Sequence, residues 1–245
     1  MEYLVVSKTH KGISRVINQD SIVVKQKIKD RKEVVFAIIC DGVGGLSNGE
    51  FASQFITSEF EVWFDRLEID FQNINLMGVK ISTYLKELNL RLYKMGAENK
   101  KMMGTTFTAL FLAEESYICV HIGDTRLYEI SEDIIQITTD QVLAEKKNVL
   151  LQCVGASKEI EPQIITNDFK GKFLLLCSDG FRHKLSNDEL LLLLKSKNLN
   201  SKKMKVILDS VFDLLMKRNE RDNISAILIK NNKQTRKKTK WLFYK

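Results

Sequence analysis

One proline, Pro162, stands in the whole chain, and no stretch rich in Ser, Gly and Pro interrupts it. That scarcity argues against linkers and for a single domain. No apolar run approaches the roughly 18–20 residues needed to span a bilayer. The start, MEYLVVSKTHKG, turns polar too soon for a secretory segment, so a cytoplasmic protein is expected. The four cysteines, Cys40, Cys119, Cys153 and Cys177, include no CxxC pair, which excludes the common zinc and redox motifs. Three of them lie in apolar runs, and buried, reduced thiols are expected.

What is present suits a globular protein: 245 residues, 44% of them apolar, 28% charged and 9% aromatic. The net charge is +7, a value that would suggest nucleic acid if it were spread evenly. It is not. Residues 231–245, NNKQTRKKTKWLFYK, hold six Lys and Arg and no acid, leaving +1 for residues 1–230. The division expected is a domain over 1–230 and a basic tail over 231–245. The tail reads as a solvated extension, or as a segment that docks on an anionic surface through Trp241, Leu242, Phe243 and Tyr244.

Strand-like runs occur at Tyr3–Ser7, Ser21–Lys27 and Glu33–Cys40. A helix is expected from about Gly49 to Leu67, with Ser47 and Glu50 as a capping box. A second covers about Ile74–Glu98, where Ile74, Met77, Ile81, Leu85, Leu88, Leu92 and Met95 step by three or four. Strands resume at Thr105–Ala113, Tyr117–Ile122, Arg126–Ile130 and Ile134–Thr138. After an irregular stretch they return at Glu161–Thr166 and Lys172–Ser178. A helix opening at Ser186 with Glu189 as capping box, another over about Lys202–Lys217, and a strand at Asn223–Lys230 complete the order. Runs of strands and runs of helices predict an α+β fold of antiparallel sheets covered by helix pairs.

Four of the apolar strands end on an aspartate: Asp41 after VVFAIIC, Asp124 after YICVHIG, Asp179 after FLLLCS, and Asp222 before NISAILI. Three of these adjoin glycine. A single Asp-Gly is most often a turn. Four together, at the ends of buried runs, suggest carboxylates that meet on one sheet edge. Like charges so placed repel and raise each other's pKa, and a divalent cation relieves the conflict. An all-oxygen set favours Mg²⁺ or Mn²⁺ over zinc. His10, His121 and His183 lie outside this pattern. His121, alternating with apolar neighbours, reads as structural, and His10 reads either as structural or as bordering the substrate.

The segments GISRVINQDS, CDGVGG with GEFAS, MGTTFTALFL, HIGDTRLY, LLLCSDG and DNISAILI, in this order over about residues 7–230, resemble the metal-dependent Ser/Thr protein phosphatases of the 2C type in their bacterial form. The resemblance implies a four-layer α-β-β-α sandwich: two antiparallel sheets flanked by helix pairs. It implies that Asp41 bridges two metal ions and that the Gly42 carbonyl binds one of them. Asp179 and Asp222 would hold the other ion. Asp124 would form a weaker third site with Asp179. Arg15 would grip the substrate phosphate, and Asp20, with Gln19 beside it, would steady metal-bound waters. Two hard cations would acidify a bridging water that attacks phosphorus directly, so no Ser or Cys is assigned as a nucleophile.

Three departures from the family pattern stand out. Gln19 replaces a common Glu, and Val43 stands where eukaryotic relatives often carry His, so no general acid is assigned. The stretch Thr139–Glu159 is only 21 residues long, which implies a shortened flap and a more open catalytic face. The partners implied are phosphorylated proteins, among them a bacterial Ser/Thr kinase. No nucleic acid is expected, and a monomer is. The rival readings are a catalytically silent phosphoprotein-binding module of the same fold and a nucleic-acid binder acting through the tail.

Overall fold

The computed structural model describes residues 3–43, 46, 48–195 and 199–232. Strands β1 (Tyr3–His10), β2 (Asp20–Lys29) and β3 (Lys32–Asp41) lead to helix α1 (Gly49–Arg66). A 3₁₀ turn (Ile74–Leu76) feeds α2 (Met77–Glu98). Then come β4 (Phe107–Ala113), β5 (Ser116–Ile122), β6 (Arg126–Ile130), β7 (Ile134–Gln136) and a hairpin of β8 (Val142–Leu143) and β9 (Lys146–Leu150). β10 (Gln163–Asp168) and β11 (Phe173–Cys177) precede α3 (Asp179–Arg182), α4 (Asn187–Leu194) and α5 (Ser201–Lys217), and β12 (Ile224–Asn231) ends the series.

Two five-stranded sheets form, in the orders β1-β12-β11-β6-β7 and β10-β5-β4-β3-β2. Every pairing in them is antiparallel. The four layers follow from the packing. On β3, Val34, Phe36, Ile38 and Cys40 pack with Ile56 and Phe60 of α1 and Leu85 and Leu88 of α2. The alternate residues Val35, Ala37 and Ile39 pack instead with Leu174 and Leu176 of β11 and Ile227 and Ile229 of β12. Side chains on a strand alternate between faces, so a strand covered on both sides reads as an unbroken apolar run. On the far side, Met204, Leu208, Phe212 and Leu215 of α5 cover β11 and β12. The sandwich expected from the sequence is the fold found.

Some local details differ. Ser47 of the first capping box lies outside the described residues, as does the tail from residue 233 onward. The second box is present: Glu189 N–H donates to Ser186 Oγ at 3.3 Å, and Ser186 N–H donates to Glu189 Oε2 at 3.0 Å. The stretch 139–159 read as irregular carries the β8–β9 hairpin, and no helix is found there. The one-turn α3 was not expected. All four cysteines are buried and free. Among the described residues, no helix is long and apolar enough to cross a membrane.

Candidate active site

The strand pairing explains why the carboxylates meet. Asp20 opens β2 and Asp41 closes β3, and the two residues are direct register partners. Cys177, the last residue of β11, pairs with Ala226 of β12 and with Arg126 of β6. Asp179, Asp222 and Asp124 therefore leave the other sheet at one edge. Both sheets present their acidic ends on the same side of the sandwich.

Electrostatics register this convergence. Asp41 is held well above the usual carboxylate range by burial first, and then by Asp20, Asp179, Asp124 and Asp222. Asp20 is buried and pushed up to about 7, chiefly by burial. The Ser225 and Ser178 hydroxyls lie close enough to oppose the shift, and Asp179 and Asp222 add to it. Asp124 is pushed up to about 6 by burial, then by Asp179 and Asp140. Each rise is the response expected of like charges crowded in a partly dry space.

Arg15 projects from the loop between β1 and β2 and forks Asp222: its Nε donates to Oδ1 at 3.0 Å and its Nη2 to Oδ2 at 3.1 Å. That bond is the first cause of a guanidinium pKa above its ordinary value. Gly42 sits where only glycine fits, since a Cβ there would lie 2.4 Å from the Gly49 carbonyl oxygen. Its N–H donates to the Gln19 carbonyl at 3.1 Å, an oxygen that also accepts from Ser53 Oγ at 2.6 Å. Gln19 thus pins β3 to α1 through its backbone, while its side chain reaches Glu50 Oε2 at 3.5 Å.

The glycines near the acids have a role the sequence reading only half anticipated. A Cβ on Gly180 would lie 2.1 Å from the Asn223 carbonyl oxygen, and one on Gly12, at φ +73°, 2.1 Å from that of Asp222. Both make room for the backbone that carries Asp222, which is a packing role beside any ligand role.

His183 corrects the expectation that the histidines stand apart. Its Nε2 lies 3.3 Å from Asp179 Oδ2 and its Nδ1 3.6 Å from Glu220 Oε1. Contact with Asp179, and then the charges of Asp179 and Glu220, push the imidazole up to about 9 against the opposing effect of burial. The signal lay in the sequence as a four-residue spacing on one helical turn. Two more residues were missed. Glu220 is buried and accepts the N–H of Arg221 at 2.8 Å and of Asp222 at 3.0 Å. Asn223 donates to the carbonyls of Lys11 and Ile17 and accepts from Gln19 N–H at 2.9 Å. Asn223 meets Gln19, Lys11 and Ile17 from across the chain and Glu220 meets His183, and no local pattern marks these approaches.

The other two histidines are satisfied locally. His121 is fully buried, with Nδ1 2.8 Å from Thr108 Oγ1 and Nε2 3.2 Å from the Thr139 carbonyl. Burial lowers its pKa to about 4, so the ring is neutral. His10 Nδ1 accepts the Gly12 N–H at 3.0 Å.

These residues fit a hard divalent cation. The donors are carboxylate oxygens: Oδ1 of Asp179 is buried without a hydrogen-bond partner, and the buried oxygens of Asp20 have only the weak approach of the Ser178 and Ser225 hydroxyls. Such orphaned acceptors are costly unless something cationic satisfies them. Among the described residues no three side chains form a ready-made cage for an ion. Asp222 is instead in contact with Arg15, and Asp179 with His183.

Comparison with known proteins agrees with this geometry. Residues 9–228 match the sequence profile of the family described as Protein phosphatase 2C. The serine/threonine phosphatase Stp of Listeria innocua is 27% identical, over 92% of this chain and 94% of its own. The protein phosphatase PhpP of Streptococcus pneumoniae is 28% identical, over 74% and 80%. Among solved structures, the serine/threonine phosphatase Stp1 of Staphylococcus aureus superposes with a TM-score of 0.81 at 24% identity, covering 92% of this chain and 94% of its own. The phosphatase PstP/Ppp of Mycobacterium tuberculosis does so with a TM-score of 0.77 at 20% identity, covering 93% and 98%.

Proposed function

Because this chain belongs to the protein phosphatase 2C family, we propose that its acidic sheet edge is a divalent-cation site at which phosphoserine and phosphothreonine in proteins are hydrolysed. The chain is a protein serine/threonine phosphatase. One observation carries the assignment of the site: Asp41 meets four other carboxylates drawn from both sheets, and burial first and then those charges hold it well above its ordinary pKa.

Asp41 and the Gly42 carbonyl, Asp179 and Asp222 would hold two ions, Mn²⁺ or Mg²⁺, and Asp124 with Asp179 a weaker third. When bound, such ions supply Lewis-acid charge to phosphoryl oxygens and lower the pKa of water. The chain's own residues do the rest. Arg15 presents a planar fork, already seen gripping two carboxylate oxygens of Asp222, and the same fork suits two oxygens of a phosphate. Asp20 would orient water from beneath Asp41, its register partner. Glu220 accepts the Asp222 N–H, and His183 lies 3.3 Å from Asp179 Oδ2, where it would help to orient that carboxylate. Val43 carries no proton to give, so the leaving oxygen would take its proton from solvent. The partners would be phosphorylated proteins, including a Ser/Thr kinase whose action is reversed.

The test is hydrolysis of an aryl phosphate and a phosphothreonine peptide, with Mn²⁺ and with EDTA. The expected result is turnover of both substrates in Mn²⁺ and of neither in EDTA. Negligible turnover in every condition would favour the silent phosphoprotein-binding module instead.

A further inference from the structure

Helix α5 ends at Lys217, and the way it ends fixes Glu220. Asn219 takes the left-handed conformation, at φ +58°. Its N–H donates to the Met216 carbonyl at 3.0 Å, and the Glu220 N–H donates to the Leu215 carbonyl at 3.0 Å. This nested pair is the Schellman ending that glycine or asparagine permits. The Glu220 backbone is thereby held to the helix end, and its side chain folds back over the next turn. Its Oε1 accepts the N–H of Arg221 at 2.8 Å and that of Asp222 at 3.0 Å. One carboxylate oxygen thus shapes the turn that presents Asp222.

The same turn carries the loop of residues 11–19, on which Arg15 sits. Ile13 N–H donates to the Glu220 carbonyl at 3.3 Å. Asn223 Nδ2 donates to the Lys11 carbonyl at 2.9 Å and to that of Ile17 at 3.3 Å. Val16 is 88% exposed and Ile17 53%, so little apolar packing holds the loop, and its bonds to residues 220–223 place Arg15. A third link runs to Asp179: Glu220 Oε1 lies 3.6 Å from His183 Nδ1, and His183 Nε2 lies 3.3 Å from Asp179 Oδ2.

Stability does not account for a glutamate at this position. Glu220 is buried, and its Oε2 has no hydrogen-bond partner among the described residues. An unpaired buried carboxylate oxygen costs stability, and groups kept at such a cost are drawn from functional sites. Arg221 is exposed and Asp222 half-buried, so water can take their N–H groups if the acceptor goes.

We propose that Glu220 is a positioning residue for both halves of the site: its Oε1 holds the 220–223 turn so that Asp222 reaches the cation and Arg15 reaches the phosphate. This role rests on the phosphatase reading above and deepens it, because Glu220 itself touches neither ligand. The acceptor oxygen is the working feature rather than the charge, since Oε1 makes all three of these side-chain contacts.

The experiment measures Mn²⁺ binding to the full chain from the paramagnetic resonance of free Mn²⁺, with melting temperatures in EDTA alongside. Glu220→Met keeps the volume and removes the acceptor. Glu220→Gln keeps an acceptor oxygen and removes the charge. The expected result is a dissociation constant for Mn²⁺ roughly 10–100-fold higher in E220M, the usual worth of a partner that orients a metal ligand, and within about threefold of the parent in E220Q. E220M should melt no lower than the parent in EDTA. Inorganic phosphate, competing with an aryl phosphate at saturating Mn²⁺, should bind roughly tenfold more weakly to E220M and recover in E220Q. Parent-like binding of either Mn²⁺ or phosphate by E220M overturns the inference. So does an E220Q as weak as E220M, which would make the charge the working feature. A melting temperature several degrees lower in E220M also overturns it and makes Glu220 a structural residue. A parent that binds no Mn²⁺ overturns this inference together with the cation site, whereas a parent that binds Mn²⁺ and hydrolyses no phosphate ester overturns the phosphatase reading alone.

Discussion

Asp179→Asn should lower Mn²⁺-dependent phosphate release by about a thousandfold while leaving the fold unchanged. A metal ligand contributes several kcal/mol of transition-state charge stabilisation, and each 1.36 kcal/mol is a factor of ten. Asparagine fills the same space but removes the negative charge and puts an amide NH₂, which cannot bind a cation, in place of one carboxylate oxygen. His183 loses its carboxylate partner in the same step, so its pKa should drop from about 9 toward the ordinary imidazole value. Removing one of several crowded carboxylates relieves repulsion on Asp41 and Asp124. The variant should therefore melt no lower than the parent in EDTA. Loss of turnover with an unchanged or raised melting temperature in EDTA is the expected pair of results. A variant within about fivefold of the parent would remove Asp179 from the site, and a large fall in melting temperature would make it a structural residue.

The stabilisation that Mn²⁺ confers should itself depend on pH, rising from near zero around pH 4–5 to its full value by about pH 8. Asp20 and Asp124, at about 7 and 6, and Asp41, held well above its ordinary value by burial and its neighbours' charges, hold protons in the metal-free fold that an unfolded chain would already have lost. An acid whose folded pKa is raised costs stability as pH climbs from its ordinary value, 3.8, through its folded value. For buried Asp20 alone the cost approaches about 4 kcal/mol at 1.36 kcal/mol per pKa unit. A bound cation reverses that cost and displaces the protons, so metal affinity grows with pH over the same window. The opposite contribution of His121, lowered to about 4, adds stability as pH rises toward the ordinary imidazole range. It is present with and without metal and cancels in the difference. At a hundred times the dissociation constant, binding stabilises by about 2.7 kcal/mol, which is roughly 5–10 °C in melting temperature for a chain of this size. Melting curves with Mn²⁺ and with EDTA from pH 4.5 to 8.5 measure it. A metal-induced shift that is flat with pH would mean that these carboxylates do not bind the ion.

The layers of the fold could be read from the sequence because each rests on a local period. Met77, Ile81, Leu85, Leu88 and Leu92 mark the buried face of α2 by spacing alone, and all five are buried. VVFAIIC announces a strand covered on both faces, as β3 is. The acidic ends of the strands were equally legible, since a carboxylate that closes an apolar run is conspicuous. What could not be read depends on long-range approach. Asn223 clamps Ile17 from 206 positions away, and a Cβ on Gly12 would strike the Asp222 carbonyl. Neither leaves a periodic trace. The β8–β9 hairpin escaped because a two-residue strand such as Val142–Leu143 is too short to show alternation. His183 carries no metal-ligand spacing, and the feature that brings it to the site is its four-residue offset from Asp179.

The most direct measurement is an anomalous difference map from crystals soaked in Mn²⁺. The account predicts peaks in contact with the oxygens of Asp41, Asp179 and Asp222, with the Arg15 guanidinium turned off Asp222. Peaks elsewhere on the molecule, or none with Arg15 still forked on Asp222, would contradict it.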